Sequence, residues 1–549
     1  MILQAGFDLG TFSILFNRTY SQSVLDATGI NTAAAAGRYS QPAHLRHFDG
    51  LKTEPEKLCF LEIAAAIWHE KRHFFDTLLT NYGALRTRHY FHVIGYADAL
   101  IDELRASGTP LLLPIEIYAD KIRRSQFGVE HVPEVIERVA KAVSSRQQLF
   151  DVDSMPWRGL QLGGDAQLEA LAFYSQLAAV QVGFGLPALQ AMQRRLALHG
   201  GWQPRYRWVE QVTAAFDIDL FLENGPPGMR ALDMPLVSPL LIASLMVRAY
   251  NQEPASPGEM EKLPAGRLAR FSEALAEDKL PPPGKRDVLE MWSLLNRTAE
   301  KLWGRSVEDE LAADFEREGQ FLAVLVQDTA FAAWARLVYD DVHRLRGELI
   351  ALLEREPRRV LDPIRWSIEI LPRLDPLFIE LFPAGQRPVS PQNSNRSGDV
   401  LWAGLYPRKL RFPGQLSLRQ DEAWKRVHAG ASPLAKLLIS GRCDPWMIGP
   451  EQDKFERDLA AMGLRICVEP YFASPAAEPA DAVFQLTHSV TLPCRACGVS
   501  ISRGSGRLVP AWTIKKHRRA TELPGTRPPE ADWAPWLLCD GCASILATE

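Results

Sequence analysis

The stretch of residues 53–83 reads TEPEKLCFLEIAAAIWHEKRHFFDTLLTNYG. Thr53 and Glu56 have the spacing of a capping box, and Pro55 lies in the first turn, where proline is tolerated. Asn81 to Gly83 reads as a stop signal. The stretch therefore predicts one helix of about seven turns.

A polar stripe runs along this predicted helix. At about 100° per residue, the positions that share one face are Glu62, Ala66, His69, His73, Asp76 and Thr80. The flanks and the back are mostly apolar. A buried structural helix would not normally carry two histidines and two acids in line, so the stripe predicts a functional face.

The motif on that face is His69-Glu70-Lys71-Arg72-His73, an H-E-x-x-H pattern. Two histidines one turn apart can bind the same Zn²⁺, and the intervening glutamate can accept a proton from water at the metal. The alternative interpretation is a surface helix with two solvated histidines.

With this motif the sequence resembles the zincin metallopeptidases, securely over the helix and loosely over residues 1–200. The resemblance implies that His69 and His73 are zinc ligands and that Glu70 is the general base. The chain departs from the usual pattern because Lys71 and Arg72 are charged. Lys71 points away from the ligand face and needs a partner or an open helix back. Arg72 could bind a substrate carboxylate or form an ion pair.

A third ligand is also implied, which in the Glu-type zincins is a glutamate on a later helix. Glu169 fits best, since Asp165 can cap that helix and Ala170 and Ala172 permit close approach. The rival ligands are His89, His92, Glu103 and Glu116. Asp76 suits a role in orienting a ligand. The side chain that would steady the oxyanion is left open among His92, Tyr96 and Tyr174.

Four cysteines form a second constellation, Cys494-x2-Cys497 and Cys539-x2-Cys542. Four thiolates at this spacing predict a closed, structural zinc site, and this part of the chain resembles a zinc ribbon. Two unrelated redox pairs are the alternative. The insert carries Lys515 to Arg519 (KKHRR), Arg503 and Arg507, which favour contact with a nucleic acid or a protein partner.

Composition narrows the class of protein. The 549 residues are 46% hydrophobic and 23% charged, which argues against wholesale disorder. The 62 basic and 66 acidic residues give a net charge of −4, so the whole chain is not an electrostatic nucleic-acid binder. The sequence has no apolar run of membrane-spanning length and no signal-peptide pattern at its N-terminus. Seven cysteines, an odd number that includes two metal-type pairs, favour a reducing compartment, and we expect a cytoplasmic protein.

The helical period dominates from about Thr53 to about Leu353, so the predicted fold class is mainly α, with an α+β minority. Short strands are expected in the first 50 residues, for example Phe12 to Phe16. Phe7 to Thr11 (FDLGT) has a weak likeness to the phosphate loop of actin-like ATPases, and a turn between strands is the simpler interpretation. The predicted domains are a zincin-like core (1–200), a helical domain (201–387), a linker with a small mixed domain (388–480) and the ribbon (481–549).

The sequence therefore predicts a zinc metallopeptidase with one catalytic and one structural zinc ion, acting on a protein or peptide substrate. Elaborated zincins of this kind are associated with stress, toxin or anti-phage roles. The alternative is a non-enzymatic zinc-ribbon protein that binds nucleic acid or a protein partner.

Overall fold

The structure is a computed structural model. The residues that it describes are 4–8, 13–17, 48–109, 111–113, 115–119, 129, 131–153, 156–157, 160–161, 163–198, 213, 216, 218, 233–247, 263–278, 280–324, 330–371, 378–382, 400–401, 426, 430–440, 462–464, 466–468, 485–487, 492–494, 496–497, 499–501, 506–509 and 536–546.

The described part is mainly helical, which confirms the predicted fold class. The helices are α1 (Glu54–Leu79), α2 (Asn81–Ser107), α3 (Glu134–Asp153), α4 (Gly164–Leu198), α5 (Met234–Leu245), α6 (Pro264–Glu277), α7 (Val288–Trp303), α8 (Val307–Val324), α9 (Ala330–Arg355), α10 (Pro357–Leu361), α11 (Pro363–Arg365), α12 (Ser432–Ser440) and α13 (Asp540–Leu546). A 3₁₀ helix covers Ile115–Ala119, and a π-helical turn covers Trp366–Ile370. None of the helices described is long and apolar enough to cross a membrane.

The strands are short. They are β1 (Gln4–Asp8), β2 (Ser13–Asn17), β3 (Leu111–Leu113), β4 (Pro156–Trp157), β5 (Leu160–Gln161), β6 (Phe378–Phe382), β7 (Val400–Leu401), β8 (Ile466–Val468), β9 (Gln485–Thr487), β10 (Leu492–Pro493), β11 (Ser500–Ile501), β12 (Gly506–Val509) and β13 (Trp536–Cys539). By contact, the chain divides into two compact units, residues 1–90 with 148–421 and residues 91–147 with 422–549. The four-domain division stays a prediction.

In the first unit, α1 begins as the sequence predicts. Thr53 Oγ1 accepts a hydrogen bond from the Glu56 backbone N–H, and Glu56 Oε2 accepts one from the Thr53 N–H, at 3.3 and 3.0 Å. This reciprocal pair satisfies two backbone donors that the helix start would otherwise leave unpaired. Pro55 occupies the first turn, so the residues of the capping box fix the start of the helix.

The end of α1 differs from the expectation. One extended residue, Thr80, separates α1 from α2, and Asn81 to Gly83 open α2 rather than stopping α1. Thr80 Oγ1 donates to the Asp76 carbonyl at 2.7 Å and accepts from the Gly83 N–H at 3.1 Å. A Cβ atom on Gly83 would lie 2.4 Å from Thr77 Cα. Gly83 is therefore required for the close approach of the two helices, not for a left-handed cap.

The core of this unit is built on α1, whose main partner is α4. Small residues allow the two backbones to approach closely, and Ala64, Ala65, Ala170 and Ala172 are fully buried. Beside them, β1, β2, β6 and β7 form a sheet in that order, with β1 and β2 antiparallel and Asp8 opposite Ser13. The Phe7 ring meets the Phe74 ring of α1 edge to face at 5.7 Å, which places β1 against α1.

The second unit contains a sheet in which β3 pairs parallel with β8, and β8 pairs antiparallel with β9. The Arg426 guanidinium forms ion pairs with Asp98 and with Asp102, the latter at 2.8 Å. Two antiparallel strand pairs, β10–β11 and β12–β13, carry the cysteines. Cys494 and Cys497 lie between β10 and β11, Cys539 ends β13, and α13 continues directly from β13.

Candidate metal centres

The two histidines of the motif point at the same spot on α1. His73 Nε2 lies 3.0 Å from His69 Nε2, and the rings meet edge to face. Both side chains are 12% exposed, so the pair is mostly buried but still reaches solvent. His69, Glu70 and His73 form a group whose ligand atoms all lie within 4.8 Å of one another, which is a possible metal-binding site.

Glu169 of α4 reaches the same spot. Its Oε2 lies 3.4 Å from His69 Nε2, and its Oε1 lies 3.5 Å from His73 Nε2. Two ligand atoms about 2.1 Å from a tetrahedral Zn²⁺ are separated by about 3.4 Å. The three side chains are therefore spaced as ligands of one ion, and the Glu169 side chain is 32% exposed, which leaves a solvent-facing side.

Glu70 is 4% exposed and lies beside this cluster. Burial raises the pKa of its carboxyl group, and the Glu169 charge adds to the rise, while His73, His69 and a hydrogen bond from the Phe7 backbone N–H oppose it. A carboxyl group with a raised pKa keeps its proton to a higher pH than an exposed glutamate does. Glu70 is therefore a buried carboxyl group of perturbed acidity beside the two histidines.

The charge balance of the cluster favours a cation. Burial by itself lowers the pKa of His73, but the charge and hydrogen bond of Glu169, with Glu70 and Asp76, raise it to about 9. Burial raises the pKa of Glu169, and His73 and His69 outweigh it and hold that pKa well below the usual range. Without a metal the cluster retains a proton, and a divalent cation would replace that proton.

Arg72 forms a buried ion pair with Asp76. Both side chains are fully buried, and Arg72 Nε and Nη2 lie 2.8 Å from the two Asp76 carboxylate oxygens. The guanidinium also lies 5.0 Å from the ring centroids of Phe75 and Trp366. This geometry matches the ion-pair interpretation of Arg72, and a role in substrate binding would require the pair to open. Lys71 is 1% exposed, so the back of the helix is closed.

The rival ligands have other positions. His89, His92 and Glu103 lie along α2, and Glu116 lies in the 3₁₀ helix. Of the candidate oxyanion donors, Tyr174 is buried on α4 and packs its ring 5.8 Å from that of Phe173. The choice among His92, Tyr96 and Tyr174 stays open.

Sequence reasoning missed Gln176. Its Oε1 lies 3.2 Å from His69 Nδ1, on the side of the ring opposite the cluster. A glutamine has no motif spacing of its own. The one available signal was its position seven residues after Glu169, which places both side chains on the same face of α4.

The four cysteines come together in the second unit. Cys497 Sγ lies 3.8 Å from Cys539 Sγ, and two sulfur ligands of a tetrahedral Zn²⁺ are separated by about 3.8 Å. The Cys539 backbone N–H donates to Cys494 Sγ at 3.3 Å, and the Cys542 N–H donates to Cys539 Sγ at 3.4 Å. Backbone N–H groups directed at sulfur are the arrangement that thiolate ligands need.

The thiols differ in their environments. Burial raises the pKa of Cys494, but backbone N–H donors from Cys539, Cys497 and Ala496 outweigh it and lower that pKa to about 6. Hydrogen bonds with the Cys497 and Cys539 sulfurs raise the pKa of Cys542 to about 12. The quartet shares protons that a metal ion would displace.

The basic insert is only partly described. Arg507 lies on β12, whereas Arg503 and Lys515 to Arg519 lie outside the described residues. Leu9 to Phe12, between β1 and β2, also lie outside them.

No protein-family model, no curated protein and no solved structure matches this chain. What the protein does must therefore be inferred from the side chains of the two candidate metal centres.

Proposed function

We propose that the protein is a zinc metallopeptidase whose catalytic ion is held by His69, His73 and Glu169. The supporting observation is the spacing of their ligand atoms, 3.0, 3.4 and 3.5 Å, beside the buried Glu70 carboxyl group. Three protein ligands and an exposed side are the arrangement of a catalytic rather than a structural zinc site.

In the proposed hydrolysis, the metal ion and the Glu70 side chain have separate roles. Zinc, when bound, would act as a Lewis acid that polarises a carbonyl oxygen and makes water a better nucleophile. Glu70 would accept the proton of the attacking water and then donate it to the leaving amine. Its raised pKa suits this double role, because the group must give up the proton as well as take it.

The neighbouring strand helps to hold Glu70. The Phe7 backbone N–H on β1 donates to the Glu70 carboxyl group, and the Phe7 ring packs against Phe74 of α1. Both contacts keep the carboxyl group beside the two histidines.

The test compares wild type with Glu70→Gln and with Glu54→Gln. Glu54 lies on the same helix with its side chain 81% exposed, so it controls for the substitution itself. Glu70→Gln should lower the cleavage rate by about 10²–10⁴ because it removes the general base. Expression of each form and a search of the proteome for new N-termini gives the readout. Cleavage products unchanged in Glu70→Gln would remove the protein from the peptidase class.

A second candidate function is binding of a protein partner through the cysteine unit. Val499 is 58% exposed and Ile545 is 69% exposed, and both lie within a few residues of the four cysteines. Contiguous apolar patches mark interaction surfaces, so this function requires Val499 and Ile545 to act together in one patch. This alternative is favoured if the cellular effect survives Glu70→Gln and is lost when Val499 and Ile545 are changed to Asp.

A further inference from the structure

We infer that Gln176 is a positioning residue for His69, an inference that rests on the proposed metal centre. The two nitrogens of the His69 ring face different surroundings. Nε2 lies 3.0 Å from His73 Nε2 and 3.4 Å from Glu169 Oε2, whereas Nδ1 lies 3.2 Å from Gln176 Oε1. One nitrogen is aimed at the metal position and the other at the amide.

The amide determines which nitrogen carries the hydrogen. An amide oxygen accepts a hydrogen bond, so Nδ1 must donate, and the lone pair of Nε2 is left for the metal. The opposite tautomer would place an N–H at the metal position and prevent ligation. Gln176 thus selects the tautomer that binds metal and holds the ring in the plane that reaches the ion.

The scaffold makes this contact rigid. Glu169 and Gln176 are two turns apart on α4, so one helix supplies both a ligand and the residue that orients another ligand. The sequence suggested Asp76 for an orienting role, but Asp76 is engaged by Arg72. Within the described part of the chain, Gln176 is the residue seen at His69 Nδ1.

The experiment measures zinc affinity in the full chain by competition with a chromogenic chelator. The variants are Gln176→Leu, which removes the acceptor, Gln176→Glu, which keeps it, and Gln181→Leu, an exposed position on the same helix. The more labile zinc should bind about 10–100-fold more weakly in Gln176→Leu. Gln176→Glu and Gln181→Leu should retain the wild-type affinity or bind more tightly.

Thermal unfolding of the metal-free proteins separates positioning from packing. If Gln176 acts on the ligand, metal-free Gln176→Leu and metal-free wild type have the same unfolding temperature. The two unfolding temperatures then differ only when zinc is added. Equal loss of stability with and without zinc would overturn the inference, and so would unchanged zinc affinity. His69→Ala distinguishes the two proposals. If that variant keeps every zinc, the metal centre itself is wrong, whereas loss of one zinc in His69→Ala with normal affinity in Gln176→Leu overturns the role of Gln176 alone.

Discussion

At the scale of single residues, the ionisable side chains of the H-E-x-x-H motif lie in two different environments. His69, Glu70 and His73 face the cluster, whereas Arg72 turns into the core and pairs with Asp76. Removing one member of a fully buried ion pair leaves the other charge unpaired, which typically costs about 3–5 kcal/mol. The buried Arg72–Asp76 pair is therefore expected to serve the fold.

We predict that Arg72→Leu and Asp76→Asn each destabilise α1 by about 3–5 kcal/mol, and that Arg72→Leu with Asp76→Leu costs less than the sum of the single changes. Hydrogen exchange of the amides in α1, measured with zinc present, gives the local free energy of opening. Arg86, which is 33% exposed and pairs with Asp165, supplies a control, Arg86→Leu, with a small effect. If Arg72→Leu left α1 protected and weakened only substrate binding, Arg72 would belong to the substrate site.

At the scale of helices, the feature that joins α2, α8 and α9 is a buried ionic network. Arg346 of α9 contacts Asp314 at 2.9 Å, Glu318 at 2.8 Å and the Asn81 amide oxygen at 3.0 Å, and Arg88 of α2 contacts Asp314 at 2.8 Å. The Asn81 amide also donates to two backbone carbonyl groups, at 3.0 Å each. The network therefore anchors the residue at which α2 begins.

This network makes stability depend on pH in a defined window. Burial raises the pKa of Glu318, but Arg346, His343 and Arg88 outweigh it and lower that pKa from the ordinary 4.5 to about 2. A carboxyl group with a lowered pKa stabilises the fold above its unfolded pKa, and that contribution disappears as the pH falls from about 4.5 to about 2. The size of the effect is about 3 kcal/mol.

We predict that Glu318→Gln is less stable than wild type at pH 6 and that the difference shrinks as the pH falls through this window. Thermal unfolding of the metal-free proteins from pH 6 to pH 2.5 measures this stability difference. Without metal, the pH dependence of metal binding does not contribute to the comparison. Glu348→Gln is the matched control, because Glu348 is exposed and pairs with Arg344 at the surface. A difference that stayed constant with pH would show that Glu318 acts through packing and not through its charge.

The sequence predicts some of these elements better than others. The start of α1 is predictable because the capping box is local, and the two histidines are predictable because one helix fixes their spacing. The break at Thr80 is not, because it depends on Gly83 packing against Thr77. The Asn81–Arg346 contact joins residues 265 positions apart, and no local signal records it. Gln176 was missed because no motif spacing distinguishes it from any other helical glutamine.

At the scale of the whole molecule, the two candidate metal centres lie in different compact units. Their donor sets also differ, since one has nitrogen and oxygen ligands with an exposed side and the other has four sulfur atoms. A four-thiolate site is closed and contributes folding free energy, whereas a three-ligand site keeps an open position and exchanges its ion more readily. The two sites should therefore be separable by metal content and by lability.

We predict about two zinc ions per chain, of which about one is lost in His69→Ala and about one in Cys497→Ser. Elemental analysis of the purified proteins measures this, and a chelator should remove the histidine-site zinc first. Cys497→Ser should also lower solubility and the unfolding temperature more than His73→Ala does, because the predicted ribbon (481–549) is a small domain with little core of its own to replace the metal. A wild-type content near one, or a Cys497→Ser variant that melts with wild type, would contradict the assignment of one catalytic and one structural ion.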